Sequence, residues 1–387
     1  MSVSLRVRAS SLLLVLGAGF VASSVRADEL SLRMQSEVSG YKDTNAVAVA
    51  TPGMAATVEN VTGGWGFGGS FLVDVVSAAS ADIVATASPS WIDVRYVPGA
   101  SAHFGVGEAD VRVAGGASVE SDYVAGTGSV GVSMDFADKT ITPALSYSFG
   151  YDVAGRRGTP YEVYALSLQR HGLSTSTTFV VNKSTILVPT LSAVFEIGDQ
   201  EKPYRYLPTF AAGTEVDTSA STDDINRLRT SVRLAEEVPE LRQRYAGSAL
   251  LAHRFGSATL RLDERLYLDS WGLMATTTDF MLPIDVGEGL RIWPHARMHL
   301  QKGVSFWQAA YEVQITPQGV VAPQLRAGDR ELGPMLAGTL GAGARVGVGN
   351  FGFTAQVDAI YSRYLDHLFI QQNLAGFALV GVDVEVD

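Results

Sequence analysis

Two stretches hold the side chains with the widest chemical range. Residues 290–301 read LRIWPHARMHLQ and place Arg291, His295, Arg297 and His299 two or four apart. Residues 258–269 place Arg261, Asp263 and Arg265 the same way. Two histidines invite a metal, but residues four apart on a strand stand ~13 Å apart at ~3.3 Å per residue, too far to share one ion. Arginines facing acids such as Asp263 and Asp269 across a wall read instead as a charged lining. Such a lining either only stabilises a lumen or selects what passes through it. The other candidate chemistries fail on context. Gly64-Trp65-Gly66-Phe67-Gly68-Gly69 and Gly126-Thr127-Gly128-Ser129-Val130-Gly131 match GxGxxG, but no helix follows either, as a dinucleotide site requires. Six histidines offer chance pairings with serine, yet no GxSxG elbow is present. The acids Asp217, Asp223 and Asp224 lack the glycine-centred spacing of a calcium loop. The reading is not an enzyme, with no cofactor and no metal site.

The elements that would position those charges alternate with period two. In 290–301 the even positions Leu290, Ile292, Pro294, Ala296, Met298 and Leu300 are apolar, and nearly all the odd ones are polar. In 258–269, Leu260, Leu262, Leu266 and Leu268 share a face, with Glu264 the one misfit. Successive side chains on a strand point to opposite sides, so each stretch is a ribbon with one oily and one wet face. A soluble sandwich alternates too, so the rest of the chain must decide.

The chain has 387 residues, 47% hydrophobic and only 18% charged, with 40 glycines and no cysteine; soluble domains carry about 25% charged residues. Lack of cysteine excludes a disulfide framework and thiolate metal sites. Residues 1–27, MSVSLRVRASSLLLVLGAGFVASSVRA, read as a signal peptide: Arg6 and Arg8, an apolar core, then Val25-Arg26-Ala27 at the cut. The mature chain, 28–387, then has 26 basic and 40 acidic residues, a net charge of −14. An acidic chain without a basic run is a poor nucleic-acid binder. The apolar core of the leader is shorter than the ~20 residues of a membrane helix, and no later stretch reaches 18.

About 16 strand-length segments follow, mostly 11–14 residues, an even number in the range of bacterial barrels. Pro52-Gly53 suggests a bulge. Residues 77–89 read as a loop or short helix. A strand is expected over 161–171, followed by a threonine-rich stretch, 173–184, with room for a helical turn. Within 223–237, Ile225, Leu228 and Val232 fall near helical spacing. The breaks sort by parity. Those at 77–90, 198–241, 302–334 and 365–374 share one side; 60–64, 105–108, 137–139, 256–257, 284–289 and 349–350 share the other and are short, with 173–184 the exception. Short periplasmic turns and long outer loops are the asymmetry of outer-membrane barrels, and a sandwich has no reason to sort loops this way. In hydrocarbon every backbone polar group needs an internal partner, which a closed ring supplies. The expected fold is therefore all-β: a closed antiparallel transmembrane barrel in the bacterial outer membrane. Trp271, Trp293, Tyr361, Tyr364 and Phe377 are candidates for interfacial girdles, though Trp293 is phased inward.

Several pieces resemble one bacterial family, the outer-membrane barrels catalogued as domain of unknown function 3570. They are residues 73–89 (VDVVSAASADIVATASP), Glu120-Ser121-Asp122-Tyr123, residues 182–187 leading to Pro203-Tyr204-Arg205, Pro239-Glu240-Leu241-Arg242-Gln243-Arg244, and residues 266–272 (LYLDSWG). The resemblance implies an outer-membrane barrel without an established activity, and a link to periplasmic redox or flavin-attachment systems. One departure is the ending Val384-Glu385-Val386-Asp387, where many such barrels end in an aromatic residue. The function expected is a porin-like transport channel or the membrane part of an envelope complex; the alternative is a non-conducting scaffold or surface receptor with loops plugging the lumen. The expected partners are outer-membrane lipid, the barrel-assembly machinery, and a periplasmic or lipoprotein partner, with no nucleic acid.

Overall fold

A computed structural model describes residues 30–78 and 91–386. The expected leader, 1–27, and most of the 77–89 stretch lie outside the described residues. Sixteen antiparallel strands form one ring. They are β1 (Leu30–Asp43), β2 (Ala48–Asn60), β3 (Trp65–Ala78), β4 (Trp91–Val106), β5 (Ala109–Val119), β6 (Tyr123–Met134), β7 (Ile141–Ala154) and β8 (Leu166–Asn182). The ring continues through β9 (Thr185–Gly198), β10 (Leu241–Phe255), β11 (Ala258–Asp269), β12 (Met274–Met281), β13 (Leu290–Lys302), β14 (Met335–Val348), β15 (Phe351–Tyr364) and β16 (Gln372–Val386). Each pairs with the next, and β16 pairs back onto β1 from Leu32↔Val386 to Asp43↔Ala375. The sheet therefore has no free margin, which is the condition for a strand to meet lipid.

Alternation decides what faces out. On β11, Leu266 and Leu268 are 62% and 52% exposed, while their neighbour Asp269 is buried. The outer face carries aromatic rings at two levels. Phe67, Phe104, Phe136, Phe255, Phe351 and Phe353 are exposed near the short turns; Tyr96, Tyr151, Tyr245 and Tyr361 are exposed toward the long loops. On β15, Phe353 and Tyr361 are eight residues apart, ~26 Å along a strand and about 20 Å along the membrane normal at the usual tilt, close to the height of a barrel's apolar band. Of the five rings proposed for girdles, only Tyr361 serves. Trp271 and Tyr364 are buried. Phe377 shares a cavity wall with Tyr41, and Trp293 lies inward against Gly343.

Glycine supplies the left-handed corner of several of the short turns at one end; Gly256 and Gly349 have φ of 59° and 58°. Three expectations need correction. The stretch 173–184 is strand, not a helical turn, and residues 161–165 lie outside strands; β8 spans both, so its turn is only Lys183-Ser184. Threonine is a strong strand former, and Thr175 satisfies its hydroxyl by donating to the Ala144 carbonyl at 3.1 Å on the preceding strand, β7. The parity rule thus holds without exception. Pro52-Gly53 makes no bulge: Ala50↔Val75 and Gly53↔Leu72 keep one register, and the ladder to β3 skips only Thr51 and Pro52, the latter having no N–H to give.

The two longest outer loops, 199–240 and 303–334, fold onto each other. Residues 209–211 pair in parallel with 311–313. A helix, α1 (Thr222–Leu228), is capped by Ser221, whose hydroxyl accepts the Asp224 N–H, and it buries Ile225 completely. Val232 falls outside it. Ile225 packs with Phe210 and Leu368; a second core joins Val238, Ala327 and Val304 to Trp271 and Leu273 at the β11–β12 corner. The loops form a folded cap seated on the barrel rim.

Candidate functional site: the capped lumen

All seven residues singled out as a lining stand on the face opposite the exposed leucines. Arg261, Asp263 and Arg265 come from β11, and Arg291, His295, Arg297 and His299 from β13. The partners differ from expectation. Asp269 is held by Arg242, from the preceding strand, at 2.5 Å. Asp269 also accepts the N–H groups of Trp271 and Leu273, each at 3.0 Å, so one buried carboxylate fixes both the rim and the cap's anchor. Arg291 pairs with Asp285 at 2.7 Å, shared with Arg254. Among the described residues Arg261, Arg265 and Arg297 make no ion pair, although Arg297 sits directly across the ladder from Asp279.

The two histidines are held by separate partners. His295 Nδ1 contacts Asp358 at 2.8 Å and its Nε2 contacts Asp279 at 3.3 Å. His299 contacts the Thr277 hydroxyl at 2.8 Å and Gln301 at 3.4 Å. The His295–Asp358 contact crosses an entire intervening strand. His295, Gly341 and Asp358 share one row of the sheet, and a Cβ on Gly341 would overlap the Asp358 carboxylate. Gly343 does the same for Trp293, whose indole occupies the place of a Cβ. Part of the glycine content thus clears paths for long side chains across the lumen wall.

A ring of paired ions marks the outer mouth. Arg95 binds Asp74, Arg170 binds Asp152 at 2.7 Å, and Arg244 binds Glu196 at 3.0 Å; in each pair the acid is buried. Below the cap lies a cavity of about 830 Å³. The cap supplies Gln200, Lys202, Tyr204 and Leu332 to it; the barrel supplies Arg265, Thr277, Arg297 and His299 on one side and Glu120, Asp122 and Tyr123 on another. Carboxylate oxygens of Asp93, Glu120 and Asp122 lie within 4.8 Å of one another. Burial, then the charge of Asp93, pushes the Glu120 carboxyl above its ordinary value, with Arg95 pulling the other way. The Tyr204 hydroxyl donates to Asp122, and burial holds that phenol up at about 12. No spacing in the sequence marks this acidic group as a site.

Buried ions also hold the cap together. Arg205 and Asp329 meet at 2.6 Å. Glu236 accepts the Gly328 N–H at 2.8 Å and the Lys202 N–H at 3.2 Å, bridging the two loops. Burial pushes the Glu236 carboxyl up, against the pull of Arg205. Burial also pushes Asp329 up, but Arg205 and the Glu331 N–H outweigh it and hold Asp329 below its ordinary value.

Comparison with known proteins agrees with this architecture. A family described as "Protein of unknown function (DUF3570)" matches residues 168–364, just over half of the chain. No curated protein matches it. Among solved structures, one named "Bacterial polysaccharide outer membrane secretin" is similar with a TM-score of 0.50 at 8% identity, over 93% of this chain and 99% of that one. CdiB from Acinetobacter baumannii is similar with a TM-score of 0.52 at 8% identity, over 93% of this chain and 60% of its own. OpdL from Pseudomonas aeruginosa reaches 0.42 at 9% identity, over 92% and 98%. At such identities the likeness is one of fold, that of the outer-membrane barrel.

Proposed function

The chain belongs to the DUF3570 family of proteins of unknown function, and from its barrel and lumen we propose a porin-like channel in the bacterial outer membrane, passing small polar solutes beneath a fixed cap. One observation carries the reading: a sixteen-strand ring whose lumen keeps a cavity of about 830 Å³, walled by side chains that include Arg265 and Arg297, which make no ion pair among the described residues. Sixteen strands is the size at which barrels leave an aqueous channel. Arginines without ion partners attract and sort charged solutes, and the neighbouring ion pairs hold the wall rigid. In this reading Arg261, Asp263, Arg265, Arg291, His295, Arg297 and His299 line the path. Residues 1–27 direct export, the assembly machinery inserts the barrel, and no reaction is catalysed.

A second reading is favoured by the cap. Two apolar cores and a buried ion pair make it a folded body rather than a set of mobile loops. That suits a non-conducting receptor or scaffold for a periplasmic or lipoprotein partner. Planar-bilayer recording of the purified chain separates the two. The channel reading expects discrete conductance steps; a well-inserted barrel that stays silent overturns it, and co-purification of an envelope protein with such a barrel supports the scaffold.

A further inference from the structure

The lumen cavity has two charged poles on opposite walls, and we propose that it binds a short, extended peptide-like zwitterion, with its ammonium group at Glu120 and Asp122 and its carboxylate at Arg265 and Arg297. The inference rests on the channel reading only in requiring that solute reaches the cavity.

The argument begins with strand order. The acidic group sits at β4 (Asp93) and the β5–β6 corner (Glu120, Asp122); the arginines sit on β11 and β13. In a ring of sixteen, β4 and β12 are eight strands apart, so the two groups face each other across the barrel. Most other charges near the cavity cancel locally: Arg95 with Asp74, Arg170 with Asp152, Arg244 with Glu196, Arg242 with Asp269. On one wall stand three crowded carboxylates, with Arg95 no nearer than 4.0 Å to Glu120; on the opposite wall stand two guanidinium groups that make no ion pair among the described residues. The loops above add Lys202 to the lining, together with Asp199, Glu201 and Glu331. Opposite signs on opposite walls orient a solute with charges at both ends.

Size narrows the class. Sixteen strands ~4.8 Å apart and tilted by ~40° close a ring roughly 30 Å across at the backbone. Side chains from both walls, and the deeper position of the arginines by about four residues, leave roughly 20 Å between the poles. An extended peptide advances ~3.3–3.6 Å per residue, so about six residues span the gap. A free amino acid reaches one pole at a time. The ammonium group suits clustered carboxylates, and the terminal carboxylate suits a guanidinium fork.

The test is calorimetric titration of the full chain in detergent micelles with hexaalanine, its N-acetylated form, its C-amidated form, and dialanine. Free hexaalanine is expected to bind, and blocking either end to weaken binding about tenfold, as expected for loss of one charge-assisted contact. Dialanine is expected to be far weaker than hexaalanine. The double variant Arg265→Gln, Arg297→Gln is expected to erase the penalty for C-amidation and keep the penalty for N-acetylation. Equal affinity for free and blocked hexaalanine, or no binding of the free peptide, overturns the proposal without use of any variant. Conductance recorded separately keeps the two readings apart. A silent barrel that still discriminates the blocked peptides sinks the channel and keeps the site; a conducting barrel that ignores them does the reverse.

Discussion

Replacing Gly341 with alanine puts the account of the lumen wall under direct strain. Gly341 lies between His295 on β13 and Asp358 on β15, and the Asp358 side chain occupies the space a methyl group would need. The methyl would also stand 2.5 Å from the Val357 carbonyl oxygen, so the strand itself must shift. Displacing Asp358 breaks its 2.8 Å contact with His295 and leaves a buried carboxylate without that partner. A hydrogen bond to a charged group contributes about 1.5–3 kcal/mol, and forcing a methyl into packed space costs about 1–3 kcal/mol. Gly341→Ala should therefore destabilise the barrel by about 3–5 kcal/mol. Urea unfolding from lipid vesicles, followed by the mobility difference between folded and unfolded barrel on a gel, reads this directly. The decisive arm is the pair with Asp358→Ala. Once the carboxylate is gone, the added methyl should cost at least ~1.5 kcal/mol less than in the wild-type background. If the two costs are equal, or if Gly341→Ala is neutral, glycine is not there to clear the path.

Other outcomes follow from the cap and the outer face. Glu236 has a raised folded-state pKa, so its contribution to the cap is fully present below its ordinary value of 4.5 and is lost as pH rises through the folded value. Protease cleavage within 199–240 should therefore quicken as pH rises above 4.5, and Glu236→Gln should flatten that rise; the same slope in the variant would show that another group sets it. Asp329 is depressed, so its contribution holds above 3.8 and falls away as pH drops through its lower folded value. The cap of Asp329→Asn should accordingly lose nothing further on strong acidification, as judged by the same cleavage. Glu264 stands on the lipid side of β11, with its carboxylate held by the hydroxyls of Thr276 and Thr278 at 2.5 Å. Glu264→Leu should stabilise the barrel by about 1–2 kcal/mol in urea titrations, since carboxylates on the lipid face are disfavoured; a loss of stability would mean that this face meets protein or water.

The wall of the barrel was legible because its signal repeats every two residues and is enforced by two solvents. One leucine shifted to the wrong face would move a whole strand out of register, so 258–269 and 290–301 declare their faces without help from the rest of the chain. The end at which the long loops gather was legible from parity alone. β8 is hard to read because threonines break its apolar face, and the bond from Thr175 to a carbonyl on β7 cannot be read from composition. The cap was invisible for a different reason. Its parallel pairing of 209–211 with 311–313 joins segments about a hundred residues apart, three residues long, with no periodicity to show. The ion partners failed similarly. Arg242 rather than Arg261 or Arg265 takes Asp269, because reach across a tilted sheet depends on the neighbouring strand and on which small residues leave room. The acidic group at Asp93, Glu120 and Asp122 left one trace, two acids at a tight corner, and nothing in the chain pointed to the arginines eight strands away.

The absence of cysteine offers a clean background for the central claim, that one face of each strand meets lipid and the other meets water. Single cysteines placed along β11 from Leu260→Cys to Leu268→Cys, in protein inserted into vesicles, can be titrated with a membrane-impermeant thiol reagent and with a lipid-dissolved quencher. The account predicts strict alternation: positions 260, 262, 266 and 268 quenched from the lipid and slow with the aqueous reagent, and positions 261, 263, 265 and 267 the reverse. Uniform reaction with the aqueous reagent at every position would contradict it.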